Sequence, residues 1–182
     1  MNTIASAAFI NGNLIDLQPI NFNHMHLYDK WGNDQEVRHL RHYEFPRSTD
    51  EVKERYLNSI KATDKYSFEV VHKKDGVPIG TCNLHEINWV SRTAEIGFFI
   101  GERKYWGMGL GTEIASLITS YAFQELNLRK LKAVIYSPNI ASQKVFTKLD
   151  FHLEATLKGE EYIDGDYIDI HFYVKYRNAS EK

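Results

Sequence analysis

The sequence predicts an α/β fold in which a mostly antiparallel sheet of six to seven strands is flanked by about four helices. Three observations carry the prediction. Residues 112–126 place Ile114, Leu117, Ile118, Tyr121 and Ala122 on one helical stripe. Near the end of the chain, Ile168, Ile170, Phe172 and Val174 alternate strictly with Tyr167, Asp169, His171 and Tyr173, which is the period of a strand. The segments run strand, two helices, three strands, helix, strand, helix, two strands. A single strand–helix–strand crossover in the middle allows one parallel pair.

Residues 13–20 form the first predicted strand, and 22–31 and 50–62 the first two helices. In the second of these, Val52, Tyr56, Leu57 and Ile60 keep helical spacing, with Ser48, Thr49 or Asp50 as cap. Residues 68–71 and 77–84 are strands joined at Asp75-Gly76, a strong hairpin turn. Residues 94–100 form an apolar strand containing Gly97, which marks a bulge or a close approach. After the 112–126 helix come a short buried strand at 131–136 and a helix at 139–149 capped by Asn139. Residues 152–175 read as a hairpin turning at Asp164-Gly165.

Composition narrows the classes. The chain has 182 residues, 43% apolar and 25% charged, which is a globular mix in the range of one domain. Disordered, collagen-like and membrane-bundle classes are excluded. Lys plus Arg number 22 and Asp plus Glu 24, for a net charge of −2, without the basic excess of a nucleic-acid binder. Cys82 is alone and forms neither an internal disulfide nor a zinc site by itself, which fits a reducing cytoplasm. No apolar run reaches the roughly 18 residues of a membrane helix. The first nine residues lack the basic start of a signal peptide.

The chemistry concentrates in Tyr105-Trp-Gly-Met-Gly-Leu-Gly-Thr112, which leaves a strand and opens a strong helix. Glycines let several N–H groups point one way, and the helix N-terminus adds partial positive charge, so the segment suits a pyrophosphate. A plain tight turn is the other reading. No Gly-Lys-Ser/Thr follows, so it is no P-loop. Glycines at 107, 109 and 111 do not give the dinucleotide spacing either.

Trp106-Gly-Met-Gly-Leu-Gly111 resembles the pyrophosphate loop of the GNAT acetyltransferase superfamily, Q/R-x-x-G-x-G/A, with Trp106 in the Gln/Arg position. Asn139-Ile-Ala-Ser142, Val145 and Phe151 are similar to the family's N-x-x-S/A…G-F helix. Glu154-Ala-Thr-Leu-Lys158 with Tyr167-Ile-Asp169 resembles the closing hairpin of the RimL/RimJ-type branch, the ribosomal-protein and spermidine acetyltransferases. Asn33-Asp-Gln-Glu-Val37 is similar to that branch's early helix. The resemblance spans roughly residues 12–176 of one domain, 1–182.

The resemblance implies a sheet splayed between strands 94–100 and 131–136, with acetyl-CoA as co-substrate and no metal. The pantetheine arm pairs with the backbone of Phe98, Phe99 and Ile100. The cofactor site also takes in Trp106 and Gly107, and the amides of Met108, Gly109, Leu110, Gly111 and Thr112 receive the pyrophosphate. Asn139 and Ser142 meet the arm. The implied activity is transfer of an acetyl group to a primary amine by direct attack in a ternary complex.

Such transfer must deprotonate an amine whose pKa is about 10.4, hold an oxyanion and protonate a thiolate. Many relatives carry a tyrosine acid where this chain has Phe146. The resemblance to the RimL-type branch, which has a serine at the position of Ser142 where it can hydrogen-bond the CoA sulfur, implies Ser142 as the acid, with Tyr136 a second hydroxyl. Glu95 is the first candidate base, on the same strand face as Gly97 and Phe99, and Glu161 the second; either carboxylate has a structural reading too. The eight histidines show no metal-ligand spacing, His24/His26 and His39/His42 included.

Glu160, Glu161, Asp164, Asp166 and Asp169 read either as a solvated turn or as an acidic rim that would draw a polyamine, an aminoglycoside, a protein N-terminus or another small amine. Arg38, Arg41 and Arg47 offer a basic wall for an amino-sugar nucleotide instead. A non-catalytic acyl-CoA-binding module on the same scaffold is the alternative class. Neither nucleic acid nor membrane is an expected partner. A homodimer is compatible with the superfamily, and no stripe in the sequence compels one.

Overall fold

The computed structural model describes residues 7–41 and 45–178, and the side chains of 39–41 lie outside that description. Arg41, His39 and His42, named above, therefore have no side-chain account. Among the described residues no helix is long and apolar enough to cross a membrane.

Among the described residues eight strands form one sheet: β1 (Ile10–Asn11), β2 (Ile15–Pro19), β3 (Tyr66–His72), β4 (Val77–Asn88), β5 (Thr93–Ile100), β6 (Lys130–Tyr136), β7 (His152–Ile163) and β8 (Asp166–Tyr176). Their spatial order is β1-β2-β3-β4-β5-β6-β8-β7. Every neighbouring pair is antiparallel except β5 with β6. Five α-helices among the described residues accompany it: α1 (Met25–Asn33), α2 (Gln35–Arg41), α3 (Thr49–Lys61), α4 (Leu110–Gln124) and α5 (Ile140–Lys148). The expected α/β class and mostly antiparallel sheet are present. The two-residue β1 raises the strand number to eight, and α2 is a helix of its own.

α4 fills one face of the sheet. Its Ile114, Ala115, Ile118 and Ala122 are fully buried with Leu17, Val70, Ile79, Leu84 and Leu131. Burying such a side chain contributes about 1.5–3 kcal/mol, so this layer anchors the central strands. α1 and α3 cover the opposite face through Met25, Tyr28, Trp31 and Val52, against which Phe99 of β5 packs. Of the cap candidates for α3, Ser48 serves: it bonds the Glu51 amide while the Glu51 carboxylate accepts the Ser48 N–H at 2.6 Å. These bonds to Ser48 also hold the Glu51 carboxyl below its usual pKa.

Two contacts fix α1 over β3 and β5. At the end of β5, a Cβ on Gly101 would lie 2.2 Å from Trp31 Cγ, so only glycine lets the indole rest there. The Trp31 Nε1–H donates to Glu102 at 2.8 Å. Further along, the Tyr28 hydroxyl donates to Glu69, a β3 carboxylate that is 1% exposed, and His24 Nδ1 lies 2.8 Å from the same oxygen. Burial, with the Glu69 contact added, pushes the Tyr28 phenol far above its usual pKa, so it stays a donor. Replacing Tyr28 with phenylalanine removes a donor from a buried carboxylate. The expected loss is about 1–3 kcal/mol in denaturant unfolding near neutral pH; an unchanged midpoint would show that His24 alone satisfies Glu69.

Candidate active site

β5 and β6 pair only at Thr93–Lys130, Ala94–Leu131 and Glu95–Lys132. Beyond Glu95 they part, and the implied splay is where the sequence placed it. Two cavities occupy the parting. One, about 550 Å³, lies between Phe98 and Ile100 of β5, the 105–111 loop and the start of α5. The other, about 390 Å³, is floored by Asn83 and His85 of β4 and by Glu95 and Gly97 of β5. Both are lined by Phe98, Phe99, Asn139 and Ser142, so they meet in one groove.

The loop builds the first cavity. Gly107 and Gly109 have φ of +73° and +79°, left-handed backbone that glycine enters at little cost. No atom lies within 4 Å of where either Cβ would stand, so conformation and not crowding requires glycine there. At Gly111 the reason differs, since a Cβ would come 3.3 Å from the Phe98 ring. Gly109 is the N-cap of α4 and supplies no side-chain cap. The Thr112 and Glu113 amides turn back to the Gly109 carbonyl at 3.1 and 3.4 Å. The Thr112 amide is thus engaged in the first turn of the helix, while Thr112 lines the first cavity. The amides of Met108, Gly109, Leu110 and Gly111 carry no hydrogen bond among the described residues.

Trp106 has a structural task. Its Nε1–H donates to the Ile100 carbonyl at 2.7 Å, bracing the loop against the end of β5. Ile100 also lines the first cavity.

Ser142 stands where the cavities meet, half-buried on the first turn of α5. Asn139 sets this turn by accepting the Ser142 N–H at 3.0 Å. Phe146, one turn on, is a core ring 5.0 Å from Phe151 and 5.9 Å from Phe98. Tyr136 lines the second cavity.

At the far end, Glu95 Oε2 lies 2.9 Å from Lys132 Nζ, and Oε1 lies 3.4 Å from His85 Nε2; the side chains are 15% and 30% exposed for Glu95 and His85. A register irregularity between His85 and Asn88 puts Glu86 at φ +51° and brings its carboxylate 3.2 Å from Lys132. Burial opposes the Lys132 charge, yet the bonds to Glu95 and Glu86 hold its pKa above the usual range. Donor atoms of His85, Glu86 and Glu95 lie within 4.8 Å of one another; Lys132 is the cation this cluster already contains. Burial pulls the His85 imidazole below its usual pKa of 6.5, against the opposite pull of Glu95 and Glu86. It is therefore neutral near pH 7, an available proton acceptor. The open floor in front of it depends on Gly97: a Cβ there would lie 3.0 Å from Asn83 Oδ1 and 3.5 Å from His85 Nε2. The glycine thus marks a close approach, and the bulge sits on the neighbouring strand.

Glu161 is half-exposed on β7 opposite Ile168 and lines neither cavity. The other hairpin acids also lie outside both linings. Asp169 accepts Lys158 Nζ at 2.6 Å and the Gly159 amide at 3.0 Å, and the Lys158 bond, with the Gly159 bond beside it, holds its pKa below the usual carboxylate value. Cys82 is fully buried, and burial pushes its thiol pKa up, away from nucleophilic use. Sequence reading missed His85, Asn83, Arg55 and Lys65. One signal was present for the first: a β4–β5 pairing that sets Gly97 opposite Asn83 also sets Glu95 opposite His85.

The parted strands, the glycine collar at a helix start and a hydroxyl that lines the same cavity as an imidazole–carboxylate pair define an acetyltransferase-type scaffold. Residues 15–152 match the family model described as an acetyltransferase (GNAT) domain, and the chain belongs to that family. It is 32% identical over 106 residues to an uncharacterized N-acetyltransferase of Bacillus licheniformis, covering 58% of this chain and 59% of that one. It is 39% identical over 93 residues to the spermidine N(1)-acetyltransferase of Escherichia coli K12, covering 51% and 50%. Each match thus spans less than two thirds of the relative's own length. The crystal structure of the Vibrio cholerae spermidine N-acetyltransferase in complex with CoA and spermine superposes with a TM-score of 0.85 at 23% identity, over 91% of this chain and 97% of that one. At that identity the likeness shows a shared fold.

Proposed function

We propose that the protein is an acetyl-CoA-dependent N-acetyltransferase acting on a primary amine by direct attack in a ternary complex. One observation carries this: a single groove joins the amide collar of residues 108–111 to the His85–Glu95 pair by way of Ser142. The collar suits a diphosphate, because the amides of residues 108–111 carry no hydrogen bond among the described residues and stand at the N-terminus of α4. Acetyl-CoA supplies the acetyl thioester.

The chain's own groups complete the chemistry. His85 takes the proton that a bound ammonium must lose, and Glu95, fixed by Lys132, stabilises the imidazolium that results. Arg55 and Lys65 line the same cavity, and nearby positive charge lowers the pKa of an ammonium, easing that loss. The neutral nitrogen attacks the acetyl carbon, and an N–H on the parted edge of β5 faces the developing oxyanion. As the carbon–sulfur bond breaks, Ser142 relays the remaining amine proton to the sulfur. The balance is an amide, a free thiol and one proton released from His85 to solvent. This reading moves the base from Glu95 and Glu161 to His85.

Replacing Ser142 with alanine is expected to lower kcat by about 10- to 100-fold, at the low end of acid–base contributions, with CoA affinity nearly intact. Parent-like turnover would remove Ser142 from the mechanism. The function itself is tested by incubation with acetyl-CoA and a panel of amines while thiol release is followed. Phe146, which lacks the hydroxyl many relatives carry, favours one other reading: a non-catalytic acyl-CoA-binding module. Tight CoA binding without release on any amine would establish that module instead.

A further inference from the structure

The turn between β3 and β4 reaches the 105–111 loop from a distant part of the chain. The Gly76 amide, at φ +65°, closes this turn on the His72 carbonyl at 2.8 Å. Asp75 Oδ2 accepts the Tyr105 hydroxyl at 2.5 Å, and His72 Nδ1 lies 3.0 Å from the same oxygen. The imidazole and phenol rings also pack together, with centroids 4.7 Å apart. Tyr105 is 3% exposed, belongs to the main core and lines the first cavity. The Asp75 side chain is 42% exposed, and neither it nor His72 lines either cavity. The Tyr105 bond holds the Asp75 carboxyl below its usual pKa, so near neutral pH it is an anion making a charge-assisted hydrogen bond.

We propose that Asp75 is a positioning residue for the coenzyme: by holding the Tyr105 hydroxyl it fixes the start of the 105–111 loop, and with it the amides offered to the diphosphate. The proposal rests on the acetyl-transfer reading and adds to it what keeps the collar in shape. The loop does not hold itself. Three of its seven residues are glycine, the residue with the most backbone freedom to lose. Where Gly107 and Gly109 lack a Cβ, no atom lies within 4 Å. The loop is therefore braced at its ends. α4 holds one end. At the other, Trp106 bonds the Ile100 carbonyl six residues back, while Tyr105 ties the loop to a turn 30 residues away. Ordering a loop at the moment of binding costs affinity, and a loop ordered beforehand avoids that cost.

The test measures CoA binding by calorimetry on the intact protein, beside the thermal midpoint and the kinetics of thiol release. Tyr105→Phe and Asp75→Ala are each expected to weaken CoA binding by about 10-fold. The double variant should bind no more weakly than either single one, since both substitutions remove the same bond. Asp75→Asn keeps an acceptor oxygen and should fall between the parent and Asp75→Ala. In Asp75→Ala, KM for acetyl-CoA should rise while kcat holds, because the groups around Ser142 and His85 are untouched. A merely structural bond would lower the thermal midpoint and leave CoA affinity and KM as they are. That result, or losses that add in the double variant, overturns the proposal while leaving acetyl transfer standing. CoA binding without thiol release on any amine removes the transfer reading alone, and the calorimetric ranking still decides this one. A parent that binds no CoA overturns both.

Discussion

Replacing His85 with glutamine is expected to lower kcat by about 100- to 10,000-fold, the range for loss of a positioned acid–base group. CoA affinity should stay nearly unchanged, because His85 lines only the acceptor cavity. Glutamine keeps the approximate size and polarity of the imidazole but accepts no proton near neutral pH. Glu95 retains Lys132 at 2.9 Å, so the substitution leaves no carboxylate without a cation. The pH dependence follows with a definite sign. A base works only when unprotonated, and burial sets the His85 pKa below 6.5. At saturating substrates, kcat should therefore fall with acidification along a titration whose midpoint lies below pH 6.5. The glutamine variant should lose that decline along with its rate. If it turns over like the parent while Glu95→Gln does not, Glu95 is the base and His85 a neighbour that orients it.

Gly109→Asp is expected to weaken CoA binding by about 100-fold or more. Two costs add. At φ +79° a side chain meets the left-handed penalty of about 1–2 kcal/mol, eased for Asp and Asn. A carboxylate on the collar then stands against the diphosphate, where like charges cost several kcal/mol. Gly109→Asn separates the two, because it has the same shape and backbone demand without the charge. Calorimetric titration with CoA should rank the parent tightest, then Asn, then Asp, with most of the loss between the last two. Equal Asn and Asp affinities would show that the collar does not face the diphosphate.

The fold was largely readable because its elements carry full periods of pattern. α4 shows its stripe over four turns, and β8 alternates without interruption. β1 escaped because two residues hold no period. α2 escaped because its sequence, Gln-Glu-Val-Arg-His-Leu-Arg, holds two apolar residues, Val37 and Leu40, among polar and charged neighbours, too short a stripe to read as a helix. The collar was legible for a local reason, as glycines at 107, 109 and 111 lie together in the chain. The acceptor end was not, since it is assembled across space. His85 reaches Glu95 only through the β4–β5 register, and Arg55 arrives because Tyr28, Trp31 and Val52 pack α1 and α3 onto the sheet. Trp106 shows the same division: its position in the motif was visible, but its bond to the Ile100 carbonyl belongs to the folded loop. The hairpin acids were conspicuous in sequence because they cluster, yet clustering on an exposed turn does not aim them at a cavity.

The central claim is that one groove runs from the glycine collar, past Ser142, to His85 and Glu95. A crystal structure of the protein with CoA tests it most directly. The account predicts the diphosphate within hydrogen-bonding distance of the Met108–Gly111 amides and the thiol beside Ser142, pointing toward His85. A CoA molecule bound elsewhere, with the collar vacant, would contradict it.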